Sequence, residues 1–284
     1  MLNLETALAE HFALFKGIGF VVAFSLATAL QIWRPYRRNR AEDLANWKIN
    51  MPLAAVNSIL LGSLCASCLC VLSGEAGRAG VGVFHWLSVP ASLELLLTVV
   101  LLDFVAWGWH RINHTFAALW RFHAVHHSDL NFDTSTALRF HLGELLISTG
   151  VRAVMIVLFG LSVSGLLLFE IVFQFFNCFV HGNIRLSSRV EKPFSRLFVT
   201  PTLHRRHHAH CVPELHSNFG TIFSFWDRGF GTLHAPPGGE AVPVGLPGQT
   251  ENLGLATLLR FPFRSRGARG LDAPSHPLGK PPCL

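Results

Sequence analysis

Charge is what this chain has least of. Only 14% of its 284 residues are Asp, Glu, Lys or Arg, and half are hydrophobic, where a soluble globular domain carries about 25% charged residues. With a mean hydropathy of +0.40, the shortage points to a membrane protein whose polar residues are gathered into one layer. Acids are the scarcer sign, leaving a net charge of +6, yet no nucleic-acid partner is expected. The arginines flank apolar spans, as the positive-inside rule requires, and no RNA-binding aromatic motif or Gly-rich phosphate loop is present. Flavin, nicotinamide and cytochrome b5-like haem fingerprints are missing too. The six cysteines form no disulfide ladder. Cys65, Cys68 and Cys70 lie in an apolar run and serve as small packing residues. Glu5 and Glu10 stand where a signal peptide would be basic, so no cleaved leader is expected.

Apolar runs predict spans at 12–33, 51–73 and 92–109, the last about 27 Å long if helical. Lys16, near the start of the first, can snorkel to the interface. Two shorter runs, 145–159 and 162–180, are separated by Gly160, and Glu170 is placed to pair with Arg152 across them. The basic block Arg34, Arg37, Arg38 and Arg40 marks the end of the first span as cytoplasmic. The second span then exits, the third re-enters, and 145–180 must be a hairpin returning to the same side. From about residue 235 the chain is rich in Pro and Gly, including Pro236, Pro237, Pro243 and Pro247, and reads as irregular. Its apolar segment Leu253–Phe263, followed by Arg264 and Arg266, suits an interfacial helix or a cap.

Histidine is the residue in excess. Eleven of sixteen lie between residues 110 and 210, and nine fit one scheme: His110 and His114; His123, His126 and His127; His181; and His204, His207 and His208. Residues spaced i, i+3 and i+4 share a helix face, and imidazole is the commonest metal-ligating side chain. Zinc takes about four ligands, so nine suit two ions. His114 and His123 are half a turn out of phase on an unbroken helix, which predicts a break between 115 and 122. No cysteine pair accompanies the clusters, only Cys211, so a thiolate site is not expected. Imidazole suits iron, zinc, copper or nickel, and the missing Glu-x-x-His pair excludes the carboxylate di-iron bundle. A redox metal beside lipid favours oxygen chemistry on C–H bonds that acid–base groups cannot attack. His11, His85, His234 and His276 read as ordinary histidines, and His210 and His216 as solvent-exposed or supporting.

The runs His110-Arg-Ile-Asn-His114, Arg121-Phe-His-Ala-Val-His-His-Ser128, Thr136-Ala-Leu-Arg-Phe-His141-Leu-Gly-Glu144, His181-Gly-Asn-Ile184, Thr200-Pro-Thr-Leu-His204-Arg-Arg-His-His208, Asn218-Phe-Gly220 and Trp226-Asp-Arg-Gly-Phe-Gly-Thr232 resemble the fatty acid hydroxylase/sterol desaturase superfamily over about 95–235. The resemblance implies an all-α, multi-pass integral membrane protein with a cytoplasmic, helical, histidine-rich cap. It implies two iron ions, zinc being possible as isolated, O2 as co-substrate, a membrane lipid substrate, and a ferredoxin, cytochrome or reductase as electron donor. Domains are expected at 1–91 (membrane spans and loop), 92–234 (catalytic) and 235–284 (tail).

The nine patterned histidines are the expected catalytic and metal-binding residues. Part of the superfamily has a histidine where this chain has Asn177; His141 is a tenth candidate ligand that can fill that role, with Asn177 beside the site. Asp103, two turns before His110 in an apolar span, is costly there unless paired and can orient a liganding imidazole. Asp133, Glu144, Asn218 and Asp227 are further supporting candidates. Phe140, Phe173, Phe175, Phe176 and Phe179 are candidates to line a lipid tunnel. Hydroxylation leads; desaturation or sterol C-4 methyl oxidation starts with the same hydrogen abstraction. A histidine-rich metal transporter and a di-zinc lipid hydrolase are the alternatives from other classes.

Overall fold

The structure is a computed structural model that describes residues 2–38, 40–235 and 243–264. Pro236, Pro237, Arg266 and His276 lie outside the described residues. Every regular element among those described is helical. In chain order they are α1 (Leu2–Glu10), α2 (Phe12–Trp33), α3 (Arg40–Asn57), α4 (Ser63–Ala79), α5 (Val83–Trp86), α6 (Ala91–Thr115), α7 (Ala117–His127), α8 (Leu142–Phe159), α9 (Val163–His181), α10 (Ser188–Phe194), α11 (Pro201–His207), α12 (Val212–Leu215), α13 (Phe225–Gly229) and α14 (Leu255–Arg260). A π-helical turn, Ser58–Gly62, joins α3 to α4, and a 3₁₀ turn, Thr134–Leu138, precedes α8.

Five helical segments are long and apolar enough to cross a membrane: Phe12–Trp33, Leu64–Trp86, Ala91–Thr115, Leu142–Phe159 and Val163–His181. Half of α9 (56% of its apolar window) is buried, against 11% for α2 and α8. It is therefore the centre of the bundle, packed on α2, α6 and α11, while α4 packs on α8. Val21, Val22, Leu26, Leu64, Val71, Leu96, Val154 and Leu158 point outward and exposed, as side chains facing lipid do. This is an all-α, multi-pass membrane protein.

The hairpin between α8 and α9 is set by local chemistry. Gly160 ends α8 in the left-handed region (φ 68°) and the Ser162 side chain caps α9 by accepting from Gly165 N–H, as C-terminal glycine and N-terminal serine do. A Cβ on Gly82 would lie 2.1 Å from the Gly160 nitrogen, so two turns meet backbone to backbone there. Glu170 pairs with Arg152 across the hairpin, as expected, but Lys16 does not snorkel: its Nζ lies 2.8 Å from Glu170 Oε2. Two cations around one carboxylate offset the cost of a charge among apolar helices.

The second span differs from the sequence expectation. It runs over 64–86 rather than 51–73, because α3 lies in the polar layer. Asn46 and Asn50 on α3 donate to Asp129 Oδ2 at 3.0 and 3.1 Å, Asn46 also to Asp133, and Asn57 to the Phe140 carbonyl. These bonds tie α3 to the segment that follows the second histidine cluster. The Asp129 carboxyl is held below its usual range: burial alone would raise it, but nearby Arg139 and the bonds from Asn46, Asn131 and Thr136 outweigh that. Burial, and then the Asp129 charge, push Asp133 the other way. The apolar segment near the carboxyl end acts as a cap. Leu246, Leu258 and Phe261 bury against Leu53, Trp120, Val125 and Leu215.

Candidate metal centre

The helix carrying His110 and His114 breaks at Phe116, whose extended backbone (φ −99°, ψ 117°) separates α6 from α7. With no Gly or Pro there, the break is held by the packing of both sides on the site. It lets α7 turn His123, His126 and His127 toward His110 and His114. Residues i and i+4 on a helix differ by about 40° in direction, while i+3 falls about 60° to the other side. Each His-x-x-His-His motif is thereby divided. His110, His114, His123, His127 and His207 form one group, and His126, His181, His204 and His208 the other, with donor atoms in each within 4.8 Å of one another. All nine patterned histidines fall in these two groups.

Four rings have their outer nitrogen fixed. His110 Nδ1 meets the Phe219 carbonyl at 2.8 Å, His123 Nδ1 the Glu144 carboxylate at 2.7 Å, His181 Nδ1 the Asn177 carbonyl at 2.7 Å, and His207 Nδ1 the Ser217 carbonyl at 2.7 Å. These oxygens only accept, so Nδ1 carries the proton and Nε2 is a lone pair turned inward. Inner nitrogens crowd together: His123 to His127 at 3.2 Å, His181 to His126 at 3.0 Å, and His181 to His204 at 2.9 Å. Two nitrogens on one ion, each about 2.1 Å from it, lie roughly 3.0–3.4 Å apart. The Nε2 atoms of His110 and His207 and both nitrogens of His114 and His208 are buried with no hydrogen-bond partner. Such orphans are rare unless an ion or water serves them. The donor set therefore fits two transition-metal ions. Burial first, and the charge of neighbouring imidazoles second, hold His126, His127, His204 and His208 well below the usual histidine range; burial dominates at His207 as well. They stay neutral, the form that binds metal.

The outer layer explains the loop from Ser217 to Phe223. Asp227 accepts from Phe219 N–H (2.9 Å), Gly220 N–H (2.8 Å), Trp107 Nε1 (3.0 Å) and the Thr232 hydroxyl. It thus holds the peptide whose carbonyl orients His110. Asn218, in the left-handed region (φ 53°), donates to the Leu203 and His234 carbonyls and accepts from His234 N–H. Both residues hold the loop in place.

Other expectations are corrected. His141 belongs to neither group. It caps α8, its Nδ1 accepting from Gly143 N–H at 2.9 Å, and its Nε2 donates to the Leu259 carbonyl at 3.1 Å. Both nitrogens are engaged, so it tethers the carboxyl-end cap. The Asn177 side chain donates to the Ala137 carbonyl, and only its backbone oxygen touches His181. Asp103 meets no imidazole; it accepts from Ile222 N–H, Phe223 N–H and Trp226 Nε1 at 3.0–3.1 Å. Asp133 caps the 3₁₀ turn. Phe140 stacks on His126 with centroids 4.3 Å apart, while Phe173, Phe175, Phe176 and Phe179 pack in the bundle core. His216 lies edge-on to His114. The carbonyls of Ser217, Phe219 and Asn177 escaped sequence reasoning because backbone acceptors have no residue signature.

Two expected results follow from these contacts. Asp103→Asn loses carboxylate bonds to the loop and should lower stability by about 1–3 kcal/mol, read as a thermal shift, with metal per folded chain unchanged. A large drop in metal affinity at unchanged melting temperature would restore the imidazole-orienting role. Glu144→Gln, in contrast, should weaken metal binding about 10–100-fold. A chelator-competition titration checks it, and equal affinity would remove Glu144 from the site.

A family model described as fatty acid hydroxylase matches residues 95–232. An ornithine lipid hydroxylase of Rhizobium tropici is 30% identical over 180 residues, covering 63% of this chain and 53% of that protein. An alkylglycerol monooxygenase of Danio rerio is 28% identical over 185 residues, 63% of this chain and 40% of its own length. A cholesterol 25-hydroxylase of Rattus norvegicus is 24% identical over 258 residues, 82% of this chain and 78% of that protein. The chain spans about half or less of the length of the first two. No solved structure matches it. The matched stretch, residues 95–232, contains every histidine of both groups, and over that stretch the chain matches the fatty acid hydroxylase family.

Proposed function

We propose that this chain is an O2-dependent oxidoreductase that hydroxylates a C–H bond of a membrane lipid at a centre of two iron ions. One observation carries the reading: nine imidazoles, divided five and four, converge at the end of a bundle of membrane spans. The lipid hydroxylase and monooxygenase relatives support it. His110, His114, His123, His127 and His207 hold one ion; His126, His181, His204 and His208 hold the other. Iron with O2 supplies an oxidant able to take hydrogen from an unactivated C–H bond, which zinc cannot do.

The chain's own residues prepare that chemistry. Glu144 and the carbonyls of Phe219, Asn177 and Ser217 keep the protons of His123, His110, His181 and His207 on their outer nitrogens. Phe140 and Phe132, stacked on or tilted against His126, His181 and His208, keep water off the inner face. Residues 92–234 form the catalytic unit, 1–91 its membrane support, and 235–284 a tail that contributes a cap. Exposed Arg189, Lys192 and Arg196 on and after α10 suit an acidic electron donor.

Lipidomics under ¹⁸O2, with and without the gene, tests the reading. A lipid gaining one labelled oxygen is expected; loss of two hydrogens without label would assign desaturation. Turnover undiminished without O2 would replace the reading with hydrolysis. The catalytic side is proposed as cytoplasmic from Arg34, Arg37 and Arg38. Reporters after residues 45 and 235 should read cytoplasmic and one after Leu87 the opposite side. Opposite readings at 45 and 235 would break this topology.

A further inference from the structure

We infer that the cavity at the polar end of α2 seats the head group of the lipid substrate, and that this head group is zwitterionic. Its anion, a carboxylate or phosphate, is held by Arg37 and Arg38, and its amine by Asp43. The inference rests on the lipid-hydroxylase reading and adds which lipids the site accepts.

The cavity has a volume of about 400 Å³ and is lined by Gln31, Trp33, Pro35, Arg37, Arg38 and Asp43, among others. That lies within the roughly 300–1,000 Å³ of small-molecule sites. Its level in the membrane is marked by Trp33, 69% exposed at the last turn of α2, with the Arg34 guanidinium 4.6 Å from its ring centroid. Tryptophan and arginine in that arrangement sit at the boundary between lipid and water, where head groups are.

The cavity is strapped to the metal centre. Tyr36 N–H donates to the Asn183 carbonyl and Arg185 N–H to the Arg34 carbonyl. The Asn183 side chain accepts from Arg37 N–H at 3.0 Å and donates to the Arg37 carbonyl at 2.8 Å. Gln31 Oε1 accepts from Asn183 N–H and from Thr134. Asn183 lies two residues beyond His181, so a lipid seated here enters beside the four-histidine group.

The charges on the wall select the ligand. Arg37 Nε is buried and has no hydrogen-bond partner, and neither Arg37 nor Arg38 forms an ion pair among the described residues. Arg205, only 4% exposed, lies between the rings of Tyr36 and Phe132, 4.5 and 4.6 Å from their centroids, with the Asp133 and Asp43 charges near enough to act on it. A neutral lipid would leave the buried Arg37 Nε–H unanswered, which is costly for a desolvated donor. A purely anionic one would answer it but meet Asp43 on the same wall. Among the described residues Asp43 Oδ2 accepts one hydrogen bond, 3.3 Å from Gln31, and the Arg37 charge lies near enough to act on the carboxylate. A zwitterion satisfies both.

Binding is the test, read by native mass spectrometry on the detergent-solubilised full chain. The probes are phosphatidylethanolamine, phosphatidylglycerol and diacylglycerol with identical acyl chains, with inorganic phosphate as competitor. Phosphatidylethanolamine should bind about tenfold or more tightly than diacylglycerol, the effect of one charge-assisted hydrogen bond. Arg37→Gln should remove that margin, and Arg38→Gln should reduce it. Asp43→Asn should erase the preference for phosphatidylethanolamine over phosphatidylglycerol. Equal binding of all three lipids, or an unchanged margin in Arg37→Gln, overturns the inference. A wild-type preference for phosphatidylglycerol overturns the zwitterion, and displacement by millimolar phosphate overturns the lipid. Since the strap uses only the Arg37 main chain, Arg37→Gln should fold, and Arg38, with an exposed side chain, gives a second variant. Metal content and ¹⁸O2 incorporation test the hydroxylase reading separately, so either can fail alone.

Discussion

Replacing His181 with alanine should leave one metal ion per chain and reduce lipid hydroxylation by more than the roughly 10–100-fold typical of residues outside the ligand set. His181 is the vertex of its group: its Nε2 lies 3.0 Å from that of His126 and 2.9 Å from that of His204. Without it three imidazoles remain, fewer than the four that ions of this kind usually take. His207→Ala should be milder for metal content, because its group keeps four of five, although activity should still fall. Elemental analysis of folded, monodisperse protein separates the two variants. Retention of both ions and full turnover in His181→Ala would mean that the four-histidine group is a packed histidine cluster and nothing more.

Arg139→Met should prevent the protein from accumulating, or lower its stability by about 3–5 kcal/mol, the usual result of breaking one side of a buried charged network. Arg139 is fully buried. Its guanidinium donates to the Val125 and Ser128 carbonyls at 3.1 Å, to the Ser128 hydroxyl at 3.0 Å and to Asn50 Oδ1 at 2.8 Å. It also offsets the Asp129 charge. The network fastens the end of α7, where His126 and His127 sit, to α3. Total stability of a domain is about 5–15 kcal/mol, so such a loss takes a large share. Arg139→Lys should recover only part, since an ammonium cannot span a planar fork of acceptors. Thermal unfolding in detergent checks both; a loss under 1 kcal/mol in Arg139→Met would contradict the assignment.

What could be read from the sequence was whatever side-chain identity and period encode. The spans at 12–33 and 92–109, the hairpin after Gly160, the break before His123 and the nine histidines are of that kind. The second span was misplaced because residues 51–56 are apolar. Asn46, Asn50 and Asn57 recur on one face of α3, and that polar stripe was the available sign that the helix belongs to the polar layer. His141 looked like a ligand because it could fill the place where this chain has Asn177 instead of histidine, but a histidine at an N-cap position can spend both nitrogens on backbone groups. The division of each triplet between two groups follows from helical angles, yet needs the bend at Phe116 to be seen. Asp103 looked like a partner for His110 two turns away; its partners come from a loop 119 to 123 residues later, which no local pattern announces.

Iron bound per folded chain, measured after loading the purified protein with ferrous iron in the absence of air, tests the two-ion centre most directly. Two irons per wild-type chain, falling to one in His181→Ala, is the expected result. Saturation at one iron or none in the wild type, with lipid turnover intact, would contradict it.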